Sequence, residues 1–180
     1  MTNNEDLFRL IDTGIYPKYL RNTQMHQVIA LLYTLIEATY FGEAYQKNVV
    51  RTANVLGSEL EKQGFQIVKK GNLYTQTHQV FLECSQDMMN RIFENGFKYG
   101  VTLNTKQKDL FHGKFGIRFG LQEVGRYDWD DTAMEKIAVV VKELSSKAPN
   151  EELLHKRISE MPEKQIHYTF GNEVIRYLSV

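Results

Sequence analysis

The feature that most constrains the fold is a change of hydrophobic period partway along the chain. From about Asn22 to Tyr40, residues Met25, Val28, Ile29, Leu32, Leu35, Ile36 and Tyr40 recur at three- and four-residue steps. That is the single apolar stripe of a helix. Asn22 or Thr23 is placed to cap its start by accepting a bond from a free N–H of the first turn. Gly42 marks an expected break, and a second helix continues to about Gln63 with Val49, Ala53, Leu56 and Leu60 on one face. Gly64 then stands where a helix C-terminal glycine belongs. Beyond it the period falls to two. His78, Val80, Leu82 and Cys84 alternate with Thr77, Gln79, Phe81 and Glu83, as the two faces of a strand require. Shorter strands are expected at Phe65 to Val68, Val101 to Asn104 and Phe115 to Gly120. Helices interleave: one capped by Ser85 and running to about Lys98, one opening at Trp129 and Asp130 or Asp131, and one between Asn150 and Met161. The tail from Gln165 to Val180 stays open between a strand through Ile166, Tyr168 and Phe170 and a helical turn from Val174 to Leu178.

Helices followed by alternating strands and helices give an α+β class, with helices covering a small sheet. The 180 residues are one domain's worth of chain. We expect an extended, loop-like lead-in over 1–20 and a single domain over 21–180. Hydrophobic residues at 42% and charged residues at 24% suit a folded chain rather than a disordered one. The 22 basic and 22 acidic residues cancel, so there is no global field to draw phosphate backbones, and no nucleic-acid partner is expected. A single cysteine, Cys84, rules out a disulfide framework and suits a reducing compartment. The first ten residues, MTNNEDLFRL, lack the basic start and apolar core of a signal peptide. The longest apolar stretch, near Val28 to Ile36, is about half the ~20 residues that a membrane span needs. A cytoplasmic protein with no membrane partner is the expectation.

The chain carries no GxGxxG and no GxxxxGK[ST], hence neither a dinucleotide fingerprint nor a P-loop. It has no GxSxG elbow. Its five histidines (His26, His78, His112, His155, His167) are scattered, none with a second His or Cys at metal spacing, so no metal site is expected. Cys84, on the alternating strand, reads as a buried small hydrophobe rather than a reactive thiol. The segment Phe115-Gly116-Ile117-Arg118-Phe119-Gly120 is more informative. In a strand, Phe115, Ile117 and Phe119 face the helices, while Gly116, Arg118 and Gly120 face the other way. Glycines on either side leave the arginine's face open. Its planar fork of donors suits a carboxylate or phosphate; a structural salt bridge is the other reading of the same pattern. Arg21, Asn22 and Thr23 form a second cluster at a helix start, where free N–H groups and the helix dipole favour an anion. On pattern alone an ordinary capped, solvated helix end is the simpler reading of them.

Several segments, taken in order, resemble serine hydroxymethyltransferase. Arg21 to Tyr45 (RNTQMHQVIALLYTLIEATYFGEAY) and NVVRTANVLGSELEKQGFQIV are similar to the part of that family that follows its cofactor lysine. Thr77-His78-Gln79-Val80-Phe81-Leu82 is similar to the next family strand, and Gly116-Ile117-Arg118-Phe119-Gly120 to the family's Gly-Ile-Arg-x-Gly. Arg126 falls where the family carries an arginine in the following loop. The resemblance runs from about Tyr16 to Leu144 and implies a fold-type I enzyme using pyridoxal 5′-phosphate (PLP). The implied fold is the small domain of aspartate-aminotransferase type, built on a mostly antiparallel sheet. It also implies that Arg118 grips the substrate's α-carboxylate, and that Arg21, Asn22 and Thr23 occupy the place of a family Gly-Gly-Pro near the PLP phosphate. TKQKDLFHGK, Thr105 to Lys114, replaces the family segment that contacts folate and is shorter, without its proline.

The same resemblance leaves no counterpart for the large domain with its PLP lysine. The chain is therefore expected to be the C-terminal subunit of a split PLP-dependent enzyme, not catalytic alone, performing aldol, hydroxymethyl-transfer or related chemistry on an amino acid. PLP would be bound mainly by a lysine-bearing partner subunit, by analogy in a heterotetramer. The rival reading is a non-catalytic interaction or regulatory module that binds through the apolar stripe of the first helix.

Overall fold

The computed structural model describes residues 2–15, 18–19, 24–107 and 114–171. The elements, in chain order, are α1 (Glu5–Ile15), α2 (Met25–Lys62), β1 (Gln66–Ile67), β2 (Gln79–Glu83), α3 (Gln86–Lys98), β3 (Asn104–Lys106), β4 (Gly116–Gly120), α4 (Gln122–Arg126), α5 (Asp131–Leu144) and α6 (Glu151–Ser159). The chain divides into two compact units, Met1–Tyr40 and Phe41–Val180.

In the first unit the expected loop-like lead-in holds a helix. α1 starts where the Asn4 side-chain carbonyl accepts from the Leu7 N–H at 2.9 Å, an N-cap bond of the kind that starts helices. Glu5 and Asp6 in its first turn complement the helix dipole. Leu7, Phe8, Leu10, Ile11 and Ile15 are all exposed and no residue of α1 is buried. The first half of α2 is also bare: Met25, Val28, Ile29, Leu32 and Leu35 are 49–62% exposed. The stripe read from the sequence is thus a real helix face, and it is not core.

α2 corrects the expected break at Gly42: it runs unbroken for 38 residues. A glycine inside a helix costs about 1 kcal/mol relative to alanine, which the burial of Val49, Ala53, Leu56 and Leu60 exceeds several-fold. The helix ends where expected, with Gly64 at φ +85° and the Phe65 N–H reaching back to the Leu60 carbonyl at 3.2 Å.

The second unit is built on a four-stranded, wholly antiparallel sheet in the order β1-β2-β4-β3. β4 sits between β2 and β3, so the chain leaves β2, passes through α3 and β3, and returns to fill the middle position. One face of the sheet, with Ile67, Val80, Leu82, Ile117 and Phe119, meets Met89 and Ile92 of α3, Met134, Ala138 and Leu144 of α5, and Ala53, Leu56 and Leu60 of α2. Ser85, Asp130 and Asn150 cap α3, α5 and α6 through side-chain oxygens. The α+β class and the helix-covered antiparallel sheet are as expected. β3 lies later than the expected 101–104. α4 was not anticipated, because five residues give no period to read. Residues 162–170 form no strand, contrary to one of the two options for the tail; the other option, a turn at Val174 to Leu178, lies outside the described residues. No described helix is long and apolar enough to cross a membrane.

Candidate functional site: an arginine on an open sheet face

The core-facing side of β4 is set by Ile117 and Phe119, which are 0% and 8% exposed. Alternation then turns Arg118 outward, between Gly116 and Gly120. The strand register puts Phe81 of β2 on one side of Arg118 and Asn104 of β3 on the other. Gly116 is fixed sterically, since a β-carbon there would collide with the Leu82 carbonyl oxygen of β2. At Gly120 a β-carbon would meet only the end of the Gln122 side chain, at 3.2 Å. The absence of side chains on either side leaves the guanidinium uncovered.

Arg118 lines a cleft of about 550 Å³ at the Gly120 end of the strand, together with His78, Gln79, Asn104, Gln122 and Glu123. Among the described residues Arg118 makes no ion pair and no side-chain hydrogen bond. The structural salt bridge that the sequence left open therefore has no acidic partner there. A planar cation with its donors unspent, on a floor cleared by two glycines, is chemically suited to a bidentate carboxylate or phosphate.

The segment after β4 is anchored by a network the sequence did not reveal. Asn48, buried on α2, donates from Nδ2 to the Gly125 carbonyl at 2.9 Å. Its Oδ1 accepts from Arg51 Nη2 at 2.9 Å. Arg51 in turn pairs with Asp131 and donates to the Trp129 carbonyl at 3.3 Å. Tyr45 donates to the Gln122 carbonyl at 2.9 Å; burial raises its phenol pKa, opposed by the Arg126 guanidinium. The Arg126 carbonyl accepts from the His167 N–H at 2.7 Å. These bonds fix α4, and with it the cleft wall bearing Gln122 and Glu123, against the α2 helix. Polar residues such as Asn48 beside Val49 on a buried helix face were the available signal.

The other sequence candidates separate from this site. Arg21, Asn22 and Thr23 lie outside the described residues. Cys84 is half-buried against the core, and desolvation pushes its thiol up to about 11, which disfavours the nucleophilic thiolate. Among the described residues no group of three or more His, Cys, Asp or Glu side chains is placed to hold a metal. The described walls of the Arg118 cleft include no lysine and no aspartate. They do not by themselves form a set that would hold PLP through a Schiff base.

No family model matches the chain. It is 24% identical over 182 residues to serine hydroxymethyltransferase of Saccharolobus islandicus, covering 95% of this chain and 41% of that protein. It is 28% identical over 179 residues to serine hydroxymethyltransferase of Picrophilus torridus, covering 94% and 41%. The fold superposes on L-threonine transaldolase from Pseudomonas fluorescens with a TM-score of 0.78 at 19% identity, over 98% of this chain and 42% of that one. The chain spans about two fifths of the length of the curated relatives it matches. In sequence the chain is similar to part of serine hydroxymethyltransferase, and in fold to part of a threonine transaldolase, a likeness consistent with the C-terminal domain of a fold-type I PLP-dependent enzyme.

Proposed function

We propose that this chain supplies the small domain to a PLP-dependent enzyme acting on an amino acid, and that Arg118 holds the substrate's α-carboxylate. The observation that carries this reading is the guanidinium of Arg118, without an ion pair among the described residues, framed by Gly116 and Gly120 and open to a cleft. The names of the relatives supply the reaction class: hydroxymethyl transfer, transaldol or related aldol chemistry. When bound, PLP supplies the electron sink for the carbanion. The work of this chain is orientation. A bidentate pair between Arg118 and the carboxylate fixes two atoms of the substrate, and so fixes which bond at Cα is presented for cleavage. Arg21, Asn22 and Thr23, which precede α2 in the sequence, are proposed to reach the phosphate of PLP.

The cofactor lysine would come from a large subunit, joined to this chain in a heterotetramer in the cytoplasm. The exposed apolar faces of α1 and of the first half of α2 support such a partner, since bare patches of this kind mark interfaces. Each half-exposed Leu or Ile would gain roughly 1 kcal/mol on being covered. The same faces favour a second reading, a non-catalytic interaction module, but such a module has no use for Arg118.

Co-expression with a lysine-bearing large subunit tests the proposal. We expect a stable complex that holds PLP, while the chain alone holds none. We also expect Leu32→Glu, on the exposed stripe, to break the complex without unfolding the chain. A partner fully active without this chain, with the chain remaining a monomer beside it, would refute the assignment.

A further inference from the structure

We propose that Asn104 is a second recognition group of the cleft, its side-chain amide acting beside Arg118 on the same carboxylate. The inference rests on reading Arg118 as the carboxylate-binding group. Asn104 lies directly opposite Arg118 in the β3–β4 register. Opposed residues on antiparallel strands share a face, with β-carbons about 4.5–5.5 Å apart. Amide and guanidinium are therefore neighbours by the geometry of the sheet. Asn104 is exposed and lines the same cleft.

Its amide is also unspent. Asn48, Asn54, Asn95 and Asn150 each bond to backbone groups that they anchor or cap. Asn104 makes no side-chain hydrogen bond among the described residues. Asparagine is depleted in strands, so this residue sits in an unfavourable setting with no internal bond in return. The chemistry of the pair accounts for it. An ionised carboxylate has about four acceptor sites. The arginine fork takes two, and an amide N–H can take a third. Because the amide is neutral it does not compete with the substrate for Arg118, as an aspartate at this position would.

The test uses the full-length chain, nitrogen-15 labelled, and follows the Arg118 Nε–Hε signal during titration with sodium acetate against sodium chloride at equal ionic strength. Loss of the peak in Arg118→Lys assigns it. We expect an acetate-specific shift in the wild type. Asn104→Ala should weaken acetate binding roughly 3- to 10-fold, the worth of one hydrogen bond, with an unchanged unfolding midpoint. Asn104→Asp should move the Arg118 signal before any acetate is added and abolish its further response, because the introduced carboxylate occupies the guanidinium. An Asn104→Ala chain that titrates like the wild type would overturn the role of Asn104 and leave that of Arg118 standing. A wild type without any acetate-specific shift would overturn both.

Discussion

Gly116 and Gly120 look equivalent in the sequence, one on either side of Arg118, yet they are held by different forces. The backbone of β2 passes so close to Gly116 that no β-carbon fits, whereas Gly120 faces only the movable end of Gln122. Gly116→Ala should therefore cost about 1–3 kcal/mol, the usual range for overpacking, and disturb the pairing beside Arg118. Gly120→Ala should cost much less. Chemical denaturation of the two variants checks the contrast, and equal losses would mean that the strands yield freely. Cys84 gives a pH-dependent test. Burial raises its thiol pKa to about 11, above the ordinary 8.5 or so. The folded state thus disfavours the thiolate, so this contribution to stability is intact below pH ~8.5 and is lost as pH rises through 11. Iodoacetamide should label folded protein at pH 8 far more slowly than urea-unfolded protein, and equal rates would contradict the buried-thiol reading. Arg118 was legible because alternation and two glycines suffice to place it. Asn104 was not, because its position depends on a β3–β4 register that no local pattern encodes.

At the scale of elements, those with a repeating apolar pattern carried through, and those without one did not. The 3.6-residue stripes of α2, α3 and α5 and the two-residue alternation of β2 and β4 each repeat enough to be read. α4 has five residues and owes its place to tertiary contacts instead. Its Gly125 is buried against α2, where a β-carbon would come within 2.5 Å of Val49 Cγ2, and its carbonyl accepts from Asn48. α1 falls in the stretch expected to be loop-like, and its apolar residues are exposed. Close packing at Gly125 gives a further prediction. Gly125→Ala should destabilise by about 1–3 kcal/mol and loosen the segment that walls the cleft. Thermal unfolding should register the loss, and amide hydrogen exchange should show it centred on residues 122–131. An unchanged exchange pattern would mean that α4 is not held by α2.

The second unit has a closed core and, among the described residues, an arginine it does not use internally, while the helices of the first unit carry exposed apolar side chains. Both features support the proposed roles, Arg118 for a substrate carboxylate and the apolar helix faces for a partner. Arg118 is proposed to serve a carboxylate rather than the fold. The most direct measurement is kcat/KM of the assembled enzyme for an amino acid and for the matching amine without its carboxylate, in the wild type and in Arg118→Ala. A desolvated, bidentate charged pair is worth on the order of 2–5 kcal/mol. We therefore expect a fall of roughly 30- to several-thousand-fold for the amino acid, almost none for the amine, and only slight rescue by Arg118→Lys, whose point charge lacks the planar fork. Equal losses for the amino acid and the amine, or a subunit that unfolds when Arg118 is removed, would contradict it.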